Sequence, residues 1–417
     1  MHILLIADGR SPTTHHWVQS LLAGGQRVSL VSTFPCAELP GIEALFVLPV
    51  AFSGLAGGQV GSRTPATGAA RPARRAVSRF RNILLGLRYR LGPLTLAGQA
   101  RAYQRIVAAV QPDVVHALRI PFEGMLGATT PPGVPLVVSI WGNDLTLHAA
   151  GSSSMGRQTR RTLQRADGLM ADTLRDLRLA GQWGFAADRP ALAVPGSGGL
   201  DLREAGRVRA LPAADWGDFL QPDTPLVINP RGFRPGSVRN DVFFQAVPMI
   251  LERLPQTRFV CAAMQGQPEA LQWVERYRLQ HAVRLLPFLP QDELWQYFLR
   301  AQVTVSISVH DGTPNSLLEA MSCGCFPVAG DIESLREWIT PGVNGLLVEP
   351  SSAQGLAEAV ITALTHDELR RQAAEHNRAE LRERADVSIV RARVLAFYRQ
   401  LAGLPPEDGV PDEPPES

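Results

Sequence analysis

Residues 303–324 constrain the fold more than any other segment of the sequence. They read as a strand, a tight loop and the start of a helix, in that order. Its first seven residues are rich in β-branched side chains, which predicts a buried strand. Asp311-Gly312 then predicts a loop. Thr313 is predicted as the N-cap of a helix whose first residue is Pro314, because proline lacks only an N–H that this position does not use. A helix N-terminus at the end of a buried strand follows.

This helix N-terminus predicts a phosphate site. The backbone N–H groups of Asn315 and Ser316 and the helix dipole favour an anion. Glu319 lies about 9 Å along the helix axis, so a bound phosphate would bring an attached ribose to its carboxylate. Asp311 can accept hydrogen bonds from a group beyond the far phosphate. A nucleotide-sugar has this shape, and the alternative is an ordinary strand–helix unit with two solvated acids.

The residues around this helix also resemble a known pattern. Its members are Asp311, Glu319, Gly324, Pro327, Val328, Gly342, Asn344 and Gly345. The series resembles the nucleotide-sugar signature of the family 4 retaining glycosyltransferases. The resemblance implies an α/β chain with the GT-B fold: two Rossmann-like, doubly wound domains that face each other across a cleft, with a C-terminal helix that crosses back. The family usually has Glu at the position of Asp311, and the shorter acid bears on the identity of the sugar.

The resemblance implies that the second domain binds the donor. In the family an Arg and a Lys from one loop clamp the donor diphosphate. Arg231 matches the Arg, and Arg239 stands a few residues beyond the position of the Lys, with Arg234 as its rival. The residues implied as catalytic are Arg231, Arg239, Asp311 and Glu319. Those implied as donor-binding are Gly198, Gly232, Gly312, Thr313, Pro314, Asn315, Ser316 and Leu317.

The first domain is implied to bind the acceptor. His15 and His16 follow the first strand and its loop, although such histidines are about as often plain surface residues. The tetrapeptide Trp-Gly-Asn-Asp that begins at Trp141 resembles a family loop in which His-Gly-x-Asp is common. Trp141 can stack on a sugar face but cannot transfer a proton. The acceptor-side residues are therefore implied to be His15, His16, Trp141 and Asp144.

Composition and motif positions predict where the parts of the chain begin and end. The segment before the second domain contains Ala, Gly and Pro with few apolar runs, and the C-terminal tail is Pro-rich and acidic. We therefore expect the tail to be disordered. The expected parts are a first domain at 1–202, a linker at 203–224, a donor domain at 225–386, a crossover helix at 387–402 and the tail at 403–417.

The basic residues and the cysteines exclude several other chemistries. All 41 basic residues are arginines, so a Schiff-base lysine and a Walker lysine are excluded. The four cysteines show no disulfide or zinc spacing and are expected to be buried thiols. No Asp-x-Asp pair stands in a suitable loop, so we expect no obligatory metal and no cofactor; the nucleotide-sugar is a co-substrate.

Residues 71–90 mix seven arginines with apolar side chains. This pattern predicts a basic amphipathic segment that contacts an anionic membrane, and the alternative is a solvated helix face with an inner apolar stripe. No recognition motif for nucleic acid accompanies it, so no nucleic-acid partner is expected. No apolar run approaches the roughly 20 residues of a membrane span. We expect a cytoplasmic protein, or one that works at the inner face of the cell membrane.

The function implied by the resemblance is transfer of a sugar from a UDP- or GDP-type nucleotide-sugar to a hydroxyl acceptor, with retention of configuration. The acceptor would be a sugar or a lipid-linked glycan in glycan, glycolipid or polysaccharide biosynthesis. An oxygen of the leaving phosphate can accept the acceptor's proton, which would explain the absence of an evident general base. Two alternatives remain: another enzyme of the same fold, such as a nucleotide-sugar epimerase, and a homologue that binds nucleotide without catalysis.

Overall fold

The computed structural model describes residues 1–53, 81–212 and 216–406, without the side chains of 81–87. The chain divides into two compact units. The first unit contains the chain up to Gly199 together with the chain from Ser388 onward. The second unit contains Leu200–Val387.

Each unit contains one parallel sheet. The first has the strand order β3-β2-β1-β4-β5-β6-β7 and the second has the order β10-β9-β8-β11-β12-β13. In both sheets the order reverses at the unit's first strand, which is the pattern of doubly wound folds. The strands are β1 His2–Ala7, β2 Arg27–Ser32, β3 Ala44–Val47, β4 Val114–Ala117, β5 Leu136–Ile140, β6 Gly168–Ala171, β7 Ala191–Ala193, β8 Leu226–Asn229, β9 Arg258–Cys261, β10 Val283–Leu285, β11 Val303–Ser306, β12 Phe326–Gly330 and β13 Leu346–Val348. The predicted pair of doubly wound α/β units is confirmed.

Helices connect most of the strands, because parallel strands need crossover connections. The helices are α1 Pro12–Ala23, α2 Arg81–Val110, α3 Met125–Gly127, α4 Ser153–Arg165, α5 Leu174–Gln182, α6 Glu204–Arg209, α7 Asn240–Arg253, α8 Pro268–Arg276, α9 Gln291–Arg300, α10 Asn315–Cys323, α11 Glu333–Arg336, α12 Ala353–Thr365, α13 Asp367–Arg384 and α14 Val387–Leu401. Within the described residues, no helix is long and apolar enough to cross a membrane.

The central strands are buried along their whole length. All six residues of β1 and all four of β11 are buried, as expected for parallel strands that are covered on both faces. In the first sheet Ile3 is in register with Val28 on one side and Val114 on the other. The continuous apolar runs in the sequence therefore correspond to central strands.

The strand and helix predicted around residues 303–324 are present, but the helix begins one residue later than expected. Pro314 occupies the N-cap position of α10, and no side chain caps this helix. Thr313, the predicted cap, instead accepts a hydrogen bond from Trp338 Nε1 at 2.9 Å. The indole donor therefore fixes the Thr313 hydroxyl beneath the loop. At the other end, Gly324 has a φ of 96°, the left-handed conformation in which glycine commonly ends a helix.

The last helix, α14, packs on the sheet of the first unit. Val390, Val394 and Tyr398 are buried in the same apolar cluster as residues of β1 and β2. The Tyr398 hydroxyl lies 2.6 Å from Nδ1 of His116 on β4, and both side chains are fully buried. The prediction that the C-terminal helix crosses back to the first unit is confirmed.

Three segments with sequence-based expectations need separate mention. Residues 203–224, expected as a linker, lie in the second unit, where α6 places Val208 in an apolar core with Leu220 and β8. Of the expected tail, residues 407–417 lie outside the described part of the chain. Of the basic segment at 71–90, only 81–90 is described, as the first part of α2.

Candidate functional site

Two loops at the carboxyl ends of β8 and β11 meet in the second unit. These strands are neighbours in the sheet, so the loops that follow them leave from the same edge. The loop after β8 also pairs with the chain beyond β11: Arg239 N donates to Ile307 O and Val309 N donates to Ser237 O, each at 2.8 Å. This pairing holds the C-terminal part of the first loop against the chain that leads to Asp311.

Arg231 and Asp311 form an ion pair at this junction. Arg231 Nη2 donates to Asp311 Oδ2, and Nη1 lies 3.3 Å from the hydroxyl of Ser316 in the first turn of α10. Ser308 Oγ also donates to Asp311 Oδ2, at 2.8 Å. The Arg231 side chain is only 5% exposed, and its Nε has no hydrogen-bond partner among the described residues. A charged fork with unused donors therefore lies at the start of α10.

Two buried asparagines hold Arg231 in place, and the sequence analysis did not identify either of them. Asn229 Oδ1 accepts from Arg231 N at 3.1 Å, and its amide donates to Asn240 Oδ1 at 3.1 Å. Asn240 in turn donates to the carbonyl of Gly232 at 2.9 Å. Gly232 has a φ of 64°, a conformation that favours glycine. The network fixes the loop on which the guanidinium depends.

Of the two candidates for the second clamp residue, Arg234 lies close to the Arg231–Asp311 ion pair and Arg239 is paired elsewhere. The Arg239 side chain donates to Asp241 at 2.9 Å, in the first turn of α7, and its backbone N–H donates to Ile307. Arg234 is exposed and lies close to Arg231, whose guanidinium lowers the pKa of Arg234 to about 10. Arg234 remains charged at neutral pH. The second cation near the α10 N-terminus is therefore Arg234.

Glu319 lies on the half-buried side of α10. Burial raises the pKa of its carboxyl to about 7, and a hydrogen bond from Gln291 opposes this rise. Gln291 Nε2 lies 3.4 Å from Glu319 Oε1, and the sequence did not single it out. The carboxyl is therefore poised between its two protonation states near neutral pH.

The other predicted donor-binding residues of the loop differ in accessibility. Gly312, Thr313 and Pro314 are buried, whereas Asn315 and Ser316 are half-buried at the helix start. Leu317 is fully buried, and its N–H donates to the carbonyl of Pro314 at 2.9 Å. Leu317 therefore packs in the core and presents neither its side chain nor its N–H to a ligand.

Gly198, also predicted to bind donor, lies in the first unit beside Trp17. Its φ is 82°, and a Cβ at this position would lie 3.2 Å from the Trp17 ring. Trp17 Nε1 donates to the carbonyl of Gly196 at 2.9 Å. The close approach of the indole and the left-handed backbone together explain why glycine occupies position 198.

A cavity of about 370 Å³ opens in the first unit where β1, β4 and β5 end. Trp141, which the resemblance assigns to the acceptor side, lines it, and the guanidinium of Arg119 lies 5.1 Å from the centre of its ring. Asp144 is fully buried beneath these residues. It accepts from Arg119 Nη2 at 2.6 Å and from the backbone of Ile120 at 3.1 Å. Asp144 thus positions the wall of the cavity and does not itself reach the surface.

The predicted histidines do not line this cavity, which instead borders Ser11 and Thr14 of the same region. His15 Nε2 lies 2.9 Å from the carbonyl oxygen of Gly9, and His16 is half-buried. The histidine that does line the cavity is His148, whose Nδ1 lies 2.6 Å from the Tyr89 hydroxyl. Burial lowers the pKa of His148 to about 4, so this ring is neutral at physiological pH.

Family models match most of the chain. One described as "Glycosyl transferase 4-like domain" matches residues 8–196, and one described as "Glycosyl transferases group 1" matches residues 237–380. The first match contains the cavity residues just described, and the second contains Asp311 and Glu319. Arg231 lies between the two matched ranges.

Curated glycosyltransferases are similar to this chain in sequence, and solved structures are similar to it in fold. The O-antigen chain mannosyltransferase B of Escherichia coli is 26% identical over 142 residues, which is 34% of this chain and 36% of that protein. The GDP-mannose:cellobiosyl-diphosphopolyprenol alpha-mannosyltransferase of Xanthomonas oryzae is 26% identical over 261 residues, 61% of this chain and 65% of that protein. The chain thus spans about a third to two thirds of these relatives. Anabaena HepE, solved with UDP-glucose, has a TM-score of 0.66 at 17% identity and covers 97% of this chain and 100% of its own.

Proposed function

Since this chain belongs to the family 4, group 1 glycosyltransferases and has the GT-B fold, we propose that it transfers a sugar from a nucleotide-sugar to a hydroxyl acceptor with retention of configuration. The observation that carries the proposal is the ion pair of Arg231 with Asp311 at the N-terminus of α10. This arrangement places two phosphate-binding groups, a guanidinium and a helix N-terminus, beside a carboxylate that can accept hydrogen bonds from a sugar.

The diphosphate of the donor binds at the α10 N-terminus in this proposal. Asp311 engages Nη2 of Arg231 and Ser316 engages one N–H of Nη1, which leaves the second N–H of Nη1 and the unpaired Nε for phosphate oxygens. The exposed Arg234 adds a second positive charge nearby. Negative charge grows on the diphosphate as its bond to the sugar breaks, and fixed cations stabilise that charge most in the transition state.

The two carboxylates bind opposite ends of the donor. Asp311 accepts hydrogen bonds from the transferred sugar, and Glu319, further along α10, accepts from the ribose hydroxyls. In the transfer, the bond between the anomeric carbon and the phosphate oxygen breaks, and a bond from that carbon to the acceptor oxygen forms. The acceptor's proton passes to the leaving phosphate. No other general base is required by this scheme.

The donor is proposed to be a UDP- or GDP-hexose. HepE is described in complex with UDP-glucose, and the Xanthomonas relative is named for GDP-mannose. That relative's acceptor is named as a diphosphopolyprenol-linked cellobiose. We accordingly propose a sugar or lipid-linked glycan as acceptor for this chain, in glycan, glycolipid or polysaccharide biosynthesis, at the cytoplasmic side of the cell membrane.

A donor screen followed by a transfer assay tests the proposal. UDP-glucose, GDP-mannose and related donors are added in thermal unfolding scans, where a ligand at a hundredfold excess over Kd stabilises the folded state by about 2.7 kcal/mol. The stabilising donor is then incubated with the protein alone and with candidate acceptors. Release of free nucleotide that depends on acceptor supports transfer. An isomerised sugar that is still attached to the nucleotide would assign an epimerase instead.

A further inference from the structure

The carboxylates that border the first unit's cavity are already committed to protein donors. Asp8 accepts from the backbone N–H and the Nε of Arg10, both at 3.0 Å. Asp144 is paired with Arg119 as described above. Glu123 accepts from Thr33 Oγ1 at 2.8 Å, and burial raises the pKa of its carboxyl. The acceptors of hydrogen bonds in this cavity are therefore largely used.

Several hydrogen-bond donors that line this cavity, in contrast, have no partner in the described part of the chain. Three buried N–H groups, Arg88 Nε, Arg119 Nε and Trp141 Nε1, have no hydrogen-bond partner among the described residues. All three side chains line the same cavity. Buried polar groups in folded proteins are nearly always paired, so three unpaired donors around one cavity indicate a ligand that accepts hydrogen bonds.

Groups that favour an anion also border the cavity. The guanidinium of Arg88 lies 4.8 Å from the centre of the Phe122 ring, which holds it without neutralising it. The N-terminus of α1, a helix of 12 residues with no acid in its first turn, reaches the cavity through Ser11 and Thr14. A helix N-terminus and unpaired guanidinium donors both favour an anion.

We propose that this cavity binds a phosphate group of the acceptor between Arg88, Arg119 and Trp141. The inference rests on the proposed transfer reaction, because it assigns the first unit's cavity to the acceptor. A phosphate offers at least three acceptor oxygens for three donors from three side chains. The volume of about 370 Å³ exceeds that of a phosphate alone, so the cavity also has room for the hydroxyl-bearing group attached to it.

The acceptor class that follows is a phosphorylated polyol or sugar, either free or as a lipid headgroup. Aromatic side chains of Phe34, Phe122 and Trp141 line the cavity and can stack on the apolar face of a sugar ring. The sequence pattern assigned Arg88 to a membrane-facing segment. In this proposal Arg88 instead binds the phosphate of the acceptor.

Phosphate binding by paired variants tests the site. The probe is inorganic phosphate, titrated calorimetrically into the full-length protein. Arg88→Gln is the main variant, because Arg88 Nε has no hydrogen-bond partner among the described residues. The buried Glu123, whose carboxylate the Arg88 charge favours, keeps its hydrogen bond from Thr33 in this variant. Arg90→Gln is the matched control, since Arg90 is exposed on the same helix and does not line the cavity. Arg231→Ala shows how much phosphate binds in the second unit.

The expected result is that Arg88→Gln weakens phosphate binding at least tenfold, while Arg90→Gln and Arg231→Ala retain the wild-type affinity of this site. Competition then identifies the source of the phosphate: glycerol 3-phosphate is the soluble probe, vesicles of phosphatidylglycerol in phosphatidylcholine are the lipid probe, and glycerol is the neutral control. Competition by either phosphorylated probe supports the proposal. Unchanged binding in Arg88→Gln, or competition by neither probe, overturns it.

The two proposals fail in distinguishable ways. If phosphate binds through Arg88 but no nucleotide-sugar is consumed with any acceptor, the transfer reaction is wrong and the anion site stands. If sugar is transferred with equal efficiency to phosphorylated and neutral acceptors, and Arg88→Gln leaves this unchanged, the transfer reaction stands and the phosphate site is wrong.

Discussion

Arg231 and Asp311 are 80 residues apart in sequence and form a direct ion pair at the N-terminus of α10. The arginine is 5% exposed and the aspartate side chain 18% exposed. Because the carboxylate holds one end of the guanidinium fork, the remaining donors keep a fixed direction. This preorganisation is what a site needs to stabilise charge that develops on a leaving diphosphate.

Removal of the Asp311 charge tests the role of this ion pair. Asp311→Asn should lower kcat by on the order of a hundredfold, because the sugar loses a charged partner while the amide oxygen can still accept from Arg231. Affinity for free UDP or GDP should change by less than about threefold, since the group contacts the sugar and not the nucleoside. Asp367→Asn is the control, because Asp367 forms an ion pair with Arg370 at an exposed position. Nucleotide affinity that falls as much as kcat would reverse the orientation of the donor.

The arginines of the β8–α7 loop should differ in their effects on catalysis. Arg231→Ala should lower kcat by on the order of a hundredfold or more, as for other fixed donors to a developing charge. Arg231→Lys should recover little of this loss, because lysine lacks the planar fork. Steady-state kinetics with the identified donor provide the measurement.

Within the same series, Arg234→Ala should reduce kcat more than Arg239→Ala does, because Arg239 is engaged by Asp241 while Arg234 lies close to Arg231. A larger loss in Arg239→Ala would show that this side chain leaves Asp241 when donor binds, and the sequence-based assignment of the clamp would then be correct.

Glu319 should make donor binding depend on pH. Its pKa of about 7 means that the carboxylate, the form that accepts from both ribose hydroxyls, increases as the pH rises from 6 to 8. Affinity for a nucleotide-sugar should rise about tenfold over this interval, measured by calorimetry. A nucleotide-sugar is used because it has no terminal phosphate that titrates in this range. Glu319→Gln should bind more weakly at pH 8, by about 1.5–3 kcal/mol, and show a flat profile.

The same carboxyl should also affect the stability of the protein without ligand. Its pKa is raised from 4.5 to about 7 on folding, so the folded chain holds this proton more tightly than the unfolded chain. The stabilisation is present below about pH 4.5 and is lost as the pH rises through about 7. Urea unfolding should show wild type losing stability relative to Glu319→Gln between these values. A constant difference would place the pKa near its ordinary value.

Tyr398→Phe should weaken the attachment of α14 to the first unit. The change leaves Nδ1 of the fully buried His116 without its partner at 2.6 Å, at a cost of about 1–3 kcal/mol in the free energy of unfolding. Tyr277→Phe in the second unit is the control, because it is only half-buried. Urea denaturation followed by tryptophan fluorescence gives the measurement, and equal stability of the two variants would contradict the expectation.

The sequence predicted local elements well because their signals are local. The β-branched run became β11, and the helix after it starts within one residue of the predicted position. The C-terminal helix was also predicted from its amphipathic pattern, and its return to the first unit was implied by the family resemblance. Thr313 was misassigned as a cap because its actual partner, Trp338, is 25 residues away.

The site itself depended on contacts that sequence spacing does not encode. Arg231 was assigned to the diphosphate of the donor and Asp311 to its sugar, and sequence spacing did not show that the two side chains touch because β8 and β11 are neighbours. Arg239 was preferred to Arg234 from the resemblance, but its guanidinium is paired with Asp241, a contact two residues away that the family pattern does not indicate. The buried Asn229 and Asn240, which fix the loop, carried no signal that separates them from ordinary loop residues.

The most direct test of the account is the anomeric configuration of the product. Proton NMR of a reaction that contains wild-type protein, the stabilising nucleotide-sugar and an acceptor should show a new anomeric signal with the configuration of the donor, together with free nucleoside diphosphate. The Arg231→Ala variant should form this product on the order of a hundred times more slowly. An inverted anomeric signal, or consumption of donor without a new glycosidic bond, would contradict the proposed transfer.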